Sequence, residues 1–196
     1  MREIQPIRTI EDLVNEVSEQ VKRGGASDRD QIRNALSVVE RFVVDCEDVP
    51  VDRFDPGESS YSRHLLYADP EDRFSLMCLV WRPGQGTPIH DHPSWGVLGV
   101  LHGRMRFVNY AHDEISGHRC LVPVETFVAA KGSVGTVYPP MVDIHRMENA
   151  SREELAVTIH CYGCEIKEFY IYNAETAQRR IASAQYDSVL DLALHR

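Results

Sequence analysis

From about residue 60 to residue 175 the chain is a succession of short runs rich in Val, Ile, Leu, Phe and Tyr, separated by turn clusters. The clusters read Ala68-Asp69-Pro70-Glu71-Asp72, Arg82-Pro83-Gly84, His102-Gly103, Ala111-His112-Asp113-Glu114, Lys131-Gly132 and Glu148-Asn149-Ala150. Many short strands with such punctuation predict an all-β sandwich or barrel. The first fifty residues carry a helical period instead. Thr9 is placed as an N-cap, Ile10, Leu13, Val17 and Val21 share one face, and Gly24-Gly25 closes the segment. Ser27 followed by Asp30 opens a second helix, with Ile32, Leu36, Val39 and Val43 along its apolar stripe. The expected organisation is one domain: helices over 1–50 packed outside a sheet, a β-barrel over 51–175, and a tail or short helix over 176–196. That last segment, with Ile181, Val189, Leu190, Leu192 and Ala193, reads as peripheral to function.

A length of 196 residues is enough for one sizeable core. The formal charge of −9 argues against a sequence-independent nucleic-acid binder, which needs a clustered basic face. The start, Met1-Arg2-Glu3-Ile4-Gln5-Pro6, leads into an amphipathic segment with no apolar signal-peptide core. No apolar stretch approaches the roughly 18 residues that span a bilayer. Cys46, Cys78, Cys120, Cys161 and Cys164 are an odd, dispersed set rather than a disulfide framework. A cytoplasmic protein with reduced thiols and no membrane or nucleic-acid partner is expected. Cys161-Tyr162-Gly163-Cys164 has C-x-x-C spacing, yet it lacks a second pair for zinc and a helix start that would activate a redox pair. The sequence carries no signal for an oligomeric state.

The chemistry concentrates in the segment Gly84–Gly103, where His90 and His92 stand one residue apart. In a strand, side chains at i and i+2 share a face, so both imidazoles can be offered to one point in space. The position four residues after the second histidine, where many comparable sites carry a metal-binding glutamate, is Gly96. The candidate third ligand is His145, just after Pro139-Pro140, about fifty residues on. Three neutral imidazoles suit iron, nickel, copper or zinc. A three-ligand site also leaves positions open, which is a catalytic arrangement. His64, His102, His112, His118 and His195 are read as surface or hydrogen-bonded residues rather than ligands.

Gly84, His90, His92 and Gly103 match the first motif of the cupin superfamily, and Pro140, His145 and Asn149 match its second. The chain departs from the pattern at Gly96, in place of the glutamate, and at Val142, in place of a common glycine. The resemblance implies a mainly β fold, a double-stranded β-helix or jelly-roll barrel with the metal inside, here carrying an N-terminal helical pair.

Two further segments present polar side chains with a period of two. Thr158, His160 and Tyr162 fall on one face of Ala156–Tyr162, a row able to form a hydrogen-bond relay that ends on a phenol. Tyr61 and Arg63 fall on one face of the segment starting at Tyr61, and an arginine beside a cationic metal calls for an anion such as a substrate carboxylate.

With Tyr61-Ser62-Arg63-His64-Leu65, Thr87-Pro88-Ile89-His90-Asp91-His92 and Thr158-Ile159-His160-Cys161-Tyr162-Gly163, residues 58–172 resemble the thiol dioxygenases. These comprise cysteine dioxygenase and its bacterial 3-mercaptopropionate and mercaptosuccinate relatives. The resemblance implies non-haem Fe(II) on His90, His92 and His145, with O2 as co-substrate and a small thiol carboxylate as substrate. It further implies Arg63 and Tyr61 as substrate-binding residues, and Tyr162, His160 and Thr158 as catalytic ones. Thr158 stands where the family usually has serine. Gly96 stands where mammalian members have the cysteine that cross-links to the tyrosine, so no thioether to Tyr162 is expected. Arg63 resembles the cysteine-selective branch. Trp95-Gly96 and Pro139-Pro140 with Asp143-Ile144-His145-Arg146 are closer to the mercaptoacid enzymes. L-cysteine is the preferred substrate on this reading. The alternatives are 3-mercaptopropionate or mercaptosuccinate, and, further off, a metal-binding cupin isomerase or a ligand-binding cupin without catalysis.

Overall fold

A computed structural model of the chain describes residues 6–23, 27–46, 54–141 and 143–190. Helix α1 (Ile10–Arg23) begins as expected, with Thr9 Oγ1 accepting from the Asp12 backbone N–H at 3.1 Å and Asp12 Oδ2 accepting from Thr9 N–H at 3.1 Å. Its expected end at Gly24-Gly25 lies outside the described residues. Helix α2 (Asp28–Asp45) is capped by Ser27, whose side chain accepts from Asp30 N–H. Its buried stripe is Ala35, Val38, Val39, Phe42 and Val43, while Ile32 and Leu36 sit half-buried at its margin. No helix among the described residues is long and apolar enough to cross a membrane.

Twelve strands follow: β1 (Ser62–Ala68), β2 (Ser75–Trp81), β3 (Ile89–His90), β4 (Gly96–His102), β5 (Arg104–Ile115), β6 (His118–Ala130), β7 (Val134–Val137), β8 (His145–Asn149), β9 (Ala156–Tyr162), β10 (Glu168–Tyr172), β11 (Arg179–Ser183) and β12 (Ser188–Val189). They form two six-stranded sheets, ordered β12-β1-β2-β9-β4-β7 and β11-β10-β3-β8-β5-β6. All neighbours are antiparallel except β1 and β12. The sheets face each other as a cupin barrel, a double-stranded β-helix with two helices at its N-terminal side.

Two cores result. Met77, Leu79, Trp81, Leu98, Met105, Phe107 and Met147 fill the space between the sheets. Leu76, Cys78, Val80, Val97, Leu101, Ile159 and Cys161 point the other way and pack under α1 and α2. The first sheet is therefore covered on both faces, and every residue of β2 and β9 is buried. The helix–sheet contact is close enough to require a glycine. A Cβ on Gly99 would stand 2.5 Å from a Val43 methyl and 3.1 Å from one of Val39.

Three expectations are corrected. Ala111-His112-Asp113-Glu114 is not a turn but the outer part of β5; the reversal comes at Ser116-Gly117, both at positive φ. Glu148 and Asn149 end β8 rather than forming a turn. The segment after 176 forms strands, not a helix: β11 pairs with β10, and β12 adds to the edge of β1. Ile181 and Val189 are 55% and 66% exposed, so these residues do not make the apolar face a helix would need. Leu192, Ala193 and His195 lie outside the described residues.

Candidate metal centre

Antiparallel pairing of β3 with β8 sets His90 opposite His145. β3 is only two residues long, so His92 lies just past its end rather than within a strand. His92 is nonetheless turned to the same side. The three ring centroids are 4.9, 4.8 and 4.8 Å apart, and one nitrogen from each ring lies within 4.8 Å of the others. All three residues are buried.

Two of the imidazoles are held by main chain. His90 Nδ1 donates to the Pro88 carbonyl at 3.1 Å, and His92 Nδ1 donates to the Asp143 carbonyl at 2.9 Å. A carbonyl only accepts, so each Nδ1 carries the proton and each Nε2 keeps a lone pair. Burial pulls His90 down to about 4 and leaves His92 and His145 well below the usual value of 6.5, so all three are neutral at pH 7. Nε2 of His92 and of His145 are buried without a hydrogen-bond partner. Buried polar atoms are rarely left so. Converging lone pairs on neutral rings fit a bound transition metal, and the three-nitrogen set leaves coordination positions free.

Gly96 explains the missing fourth ligand. It pairs with Tyr162 across β4 and β9, and a Cβ there would lie 2.7 Å from the Tyr162 ring. A glutamate at 96 and a tyrosine at 162 would compete for the same volume. The flat ring of Tyr162 takes it, lying 5.6 Å from His92 with planes 23° apart.

Strand β9 brings the polar row to the same place. Thr158 Oγ1 and His160 Nε2 are 2.8 Å apart, and His160 Nδ1 is 3.1 Å from the Tyr162 hydroxyl. Thr158, His160 and Tyr162 are all buried. Burial first, and the Arg63 charge second, pull His160 down to about 3. Burial pushes the Tyr162 phenol well above its ordinary value, so it stays protonated.

The Tyr61–Arg63 pair closes the chamber opposite. Arg63 donates to the Tyr61 hydroxyl at 2.7 Å, and its guanidinium carbon lies 5.2 Å from the Phe169 ring centroid. Among the described residues no carboxylate forms an ion pair with it. The chamber between Arg63, Tyr61, His90, His92, Tyr162 and Trp81 has a volume of about 30 Å³. A larger hollow of about 320 Å³ reaches His145 from the other side, between β5–β6 and β4–β7. It contains Glu125 and Asp143 and no cation, so it does not attract an anion.

The sequence reading missed several walls of the chamber: Trp81, Phe169 and Tyr186. Phe169 sits edge-on to His90 at 5.7 Å. Tyr186 and Ala184 belong to the segment read as peripheral, and Asp187 in that segment accepts the Arg63 backbone N–H at 2.8 Å. That assignment is overturned. Among the described residues, His64, His102, His112 and His118 fall outside the chamber. His64, for example, is buried against Ser62 and Ser188 by hydrogen bonds of 2.9 and 2.8 Å.

Comparison with known proteins matches residues 4–174 to the family model of cysteine dioxygenase type I. The cysteine dioxygenase type 1 of Homo sapiens is 23% identical over 188 residues, covering 95% of this chain and 90% of its own. That of Danio rerio is 25% identical over 162 residues, covering 82% and 77%. Among solved structures, a protein with a double-stranded β-helix domain from Klebsiella pneumoniae superposes with a TM-score of 0.44 at 14% identity, covering 70% of this chain and 98% of its own.

Proposed function

The chain belongs to the cysteine dioxygenase type I family, and from that premise we propose that it is a non-haem iron thiol dioxygenase. Its reaction adds both atoms of O2 to the sulfur of a small thiol carboxylate and yields a sulfinic acid. The observation that carries this reading is a buried triad of His90, His92 and His145 beside a chamber lined by the Tyr162 phenol and by Arg63, which has no ion-pair partner among the described residues. Ferrous iron held by His90, His92 and His145 would supply the Lewis acidity that favours thiolate over thiol and the redox partner that lets dioxygen react with it.

The protein's own groups do the rest. Arg63 binds the substrate carboxylate with a charge-assisted, planar pair of N–H donors. Tyr61, whose oxygen already accepts from Arg63, has its own O–H to offer to the same carboxylate. Tyr162 donates a hydrogen bond to the oxygen being transferred to sulfur, and His160 and Thr158 hold its ring and hydroxyl in place. The apolar walls, Met77, Leu79 and Phe169 among them, keep bulk water away from the sulfur.

L-cysteine is the preferred substrate. Among the described residues the one cation lining the chamber is Arg63, and the chamber is small, which supports one carboxylate rather than two. A second reading, 3-mercaptopropionate, is favoured because no free carboxylate among the described residues lines the chamber for the ammonium group. Asp91, the acid lining the chamber, already accepts from Tyr170 N–H and the Tyr172 hydroxyl. Mercaptosuccinate needs a second cation and fits least.

Oxygen uptake and product mass with the Fe(II)-loaded protein test the assignment on cysteine, cysteamine, 3-mercaptopropionate and mercaptosuccinate. The expected result is a product heavier by two oxygen atoms from cysteine and little turnover of cysteamine, which has no carboxylate. No oxygen uptake with any thiol carboxylate overturns the reading.

A further inference from the structure

We propose that Trp81 is a positioning residue that sets the direction of the hydrogen-bond relay, leaving the Tyr162 hydroxyl proton free to point into the chamber. Trp81 ends β2 and is fully buried. Its Nε1 lies 3.0 Å from Thr158 Oγ1. An indole N–H donates and never accepts, so the Thr158 oxygen is the acceptor in that contact.

The consequence runs along the chain of bonds. Among the described residues, the side-chain hydrogen bonds of Thr158 Oγ1 are those to Trp81 and His160. The hydroxyl has one proton to place in a site with no solvent contact. If His160 also donated to it, the oxygen would accept twice and the hydroxyl proton would be stranded. With Trp81 as donor, the arrangement that satisfies every group has Thr158 donating to His160 Nε2. The neutral imidazole then carries its proton on Nδ1, and donates it to the Tyr162 oxygen 3.1 Å away. That oxygen being an acceptor, the phenol O–H turns outward. Without the indole donor the Thr158 oxygen loses its incoming hydrogen bond, which polarises its O–H towards His160, and the preference for this direction weakens.

Trp81 also touches the other arm of the chamber. Its ring stacks on Tyr61 with centroids 4.4 Å apart and planes 23° apart, and Tyr61 in turn accepts from Arg63. One side chain thus orders both the group that binds the carboxylate and the group that faces the reacting oxygen. The last step rests on the dioxygenase reading; the bond directions do not.

The test is the tautomer of His160, read by nitrogen-15 NMR in the full-length zinc-loaded protein, with the signal assigned by comparison with His160→Gln. The expected wild-type state is the proton on Nδ1. In Trp81→Phe, which keeps a stacked ring and loses the donor, the Nε2-protonated form should appear. A wild-type His160 protonated on Nε2, or an unchanged tautomer in Trp81→Phe, overturns the proposal. In the iron-loaded protein Trp81→Phe should lower kcat by about tenfold with KM and iron content unchanged, whereas Trp81→Leu, lacking the ring, should raise KM as well. A rise in KM with unchanged kcat in Trp81→Phe also overturns it. Thermal unfolding of both variants checks that the fold persists. The expected tautomers with no oxygen uptake from any thiol would sink the dioxygenase reading and leave the positioning role standing.

Discussion

The two faces of β9 are equally buried and chemically opposite. Val157, Ile159 and Cys161 pack beneath the helices among apolar side chains. Thr158, His160 and Tyr162 face the barrel, joined to one another and to Trp81. Cys161 shows what burial alone does. Its thiol is pushed up to about 12, which makes it inert at neutral pH. On the barrel side the same desolvation keeps imidazoles neutral and leaves their lone pairs converging on one point. Burial prepares both faces alike; the unpaired nitrogen atoms make a site of only one.

The contrast can be broken most severely at the metal. His145→Ala removes one of three ligands, and the protein should lose essentially all bound iron, measured by elemental analysis after loading. Its thermal unfolding in the metal-free state should change far less than the iron content does. Retention of iron by this variant would place the centre elsewhere. Next comes the dry face. Phe42→Ala should cost about 3–5 kcal/mol of stability in denaturant unfolding, since Phe42 is fully packed under the sheet. The KM for thiol should stay put, and a shift in it would mean the two faces are coupled.

Acid sharpens the comparison further. Folding lowers the His90 pKa from 6.5 to about 4. The unfolded chain therefore binds a proton that the folded one refuses. Stability of the metal-free protein is full above about pH 6.5 and falls as the pH drops towards 4, by about 3 kcal/mol from His90 alone. Denaturant midpoints measured across that window check the sign, and a midpoint that rises on acidification would refute it. The smallest effect is at the anion clamp. Arg63→Ala should weaken binding of thiol carboxylates by about 1.5–3 kcal/mol, seen in KM, with cysteamine unaffected.

Much of this was legible wherever the two faces of a strand differ in polarity. In β9 the alternation of Thr158, His160 and Tyr162 with Ile159 and Cys161 announces which residues share a face, and Tyr61 with Arg63 does the same. Trp81 stayed hidden because β2 is apolar on both faces, so period two gives no sign of which side meets the chamber. The β5–β6 hairpin misled for the converse reason. Its outer part runs beyond the barrel into solvent, so Ala111–Glu114 carry the polar residues of a turn while continuing a strand. Phe169 and Tyr186 reach the chamber only through pairing of distant segments, and no local pattern reports that. Gly96 was legible as an absent ligand, whereas its cause, the Tyr162 ring lying across it, is purely spatial.

The edge pairing of β12 with β1 has a bearing on the order in which the protein becomes competent. Arg63 is the earlier of the two in synthesis, and the carboxylate that fixes its main chain, Asp187, is made 124 residues later. His90, His92 and His145 lie between them. The whole histidine triad is thus synthesised before Ala184 and Tyr186, which wall the chamber. The main-chain anchor of Arg63 and one wall of its chamber therefore come last in synthesis, beside a strand of two residues.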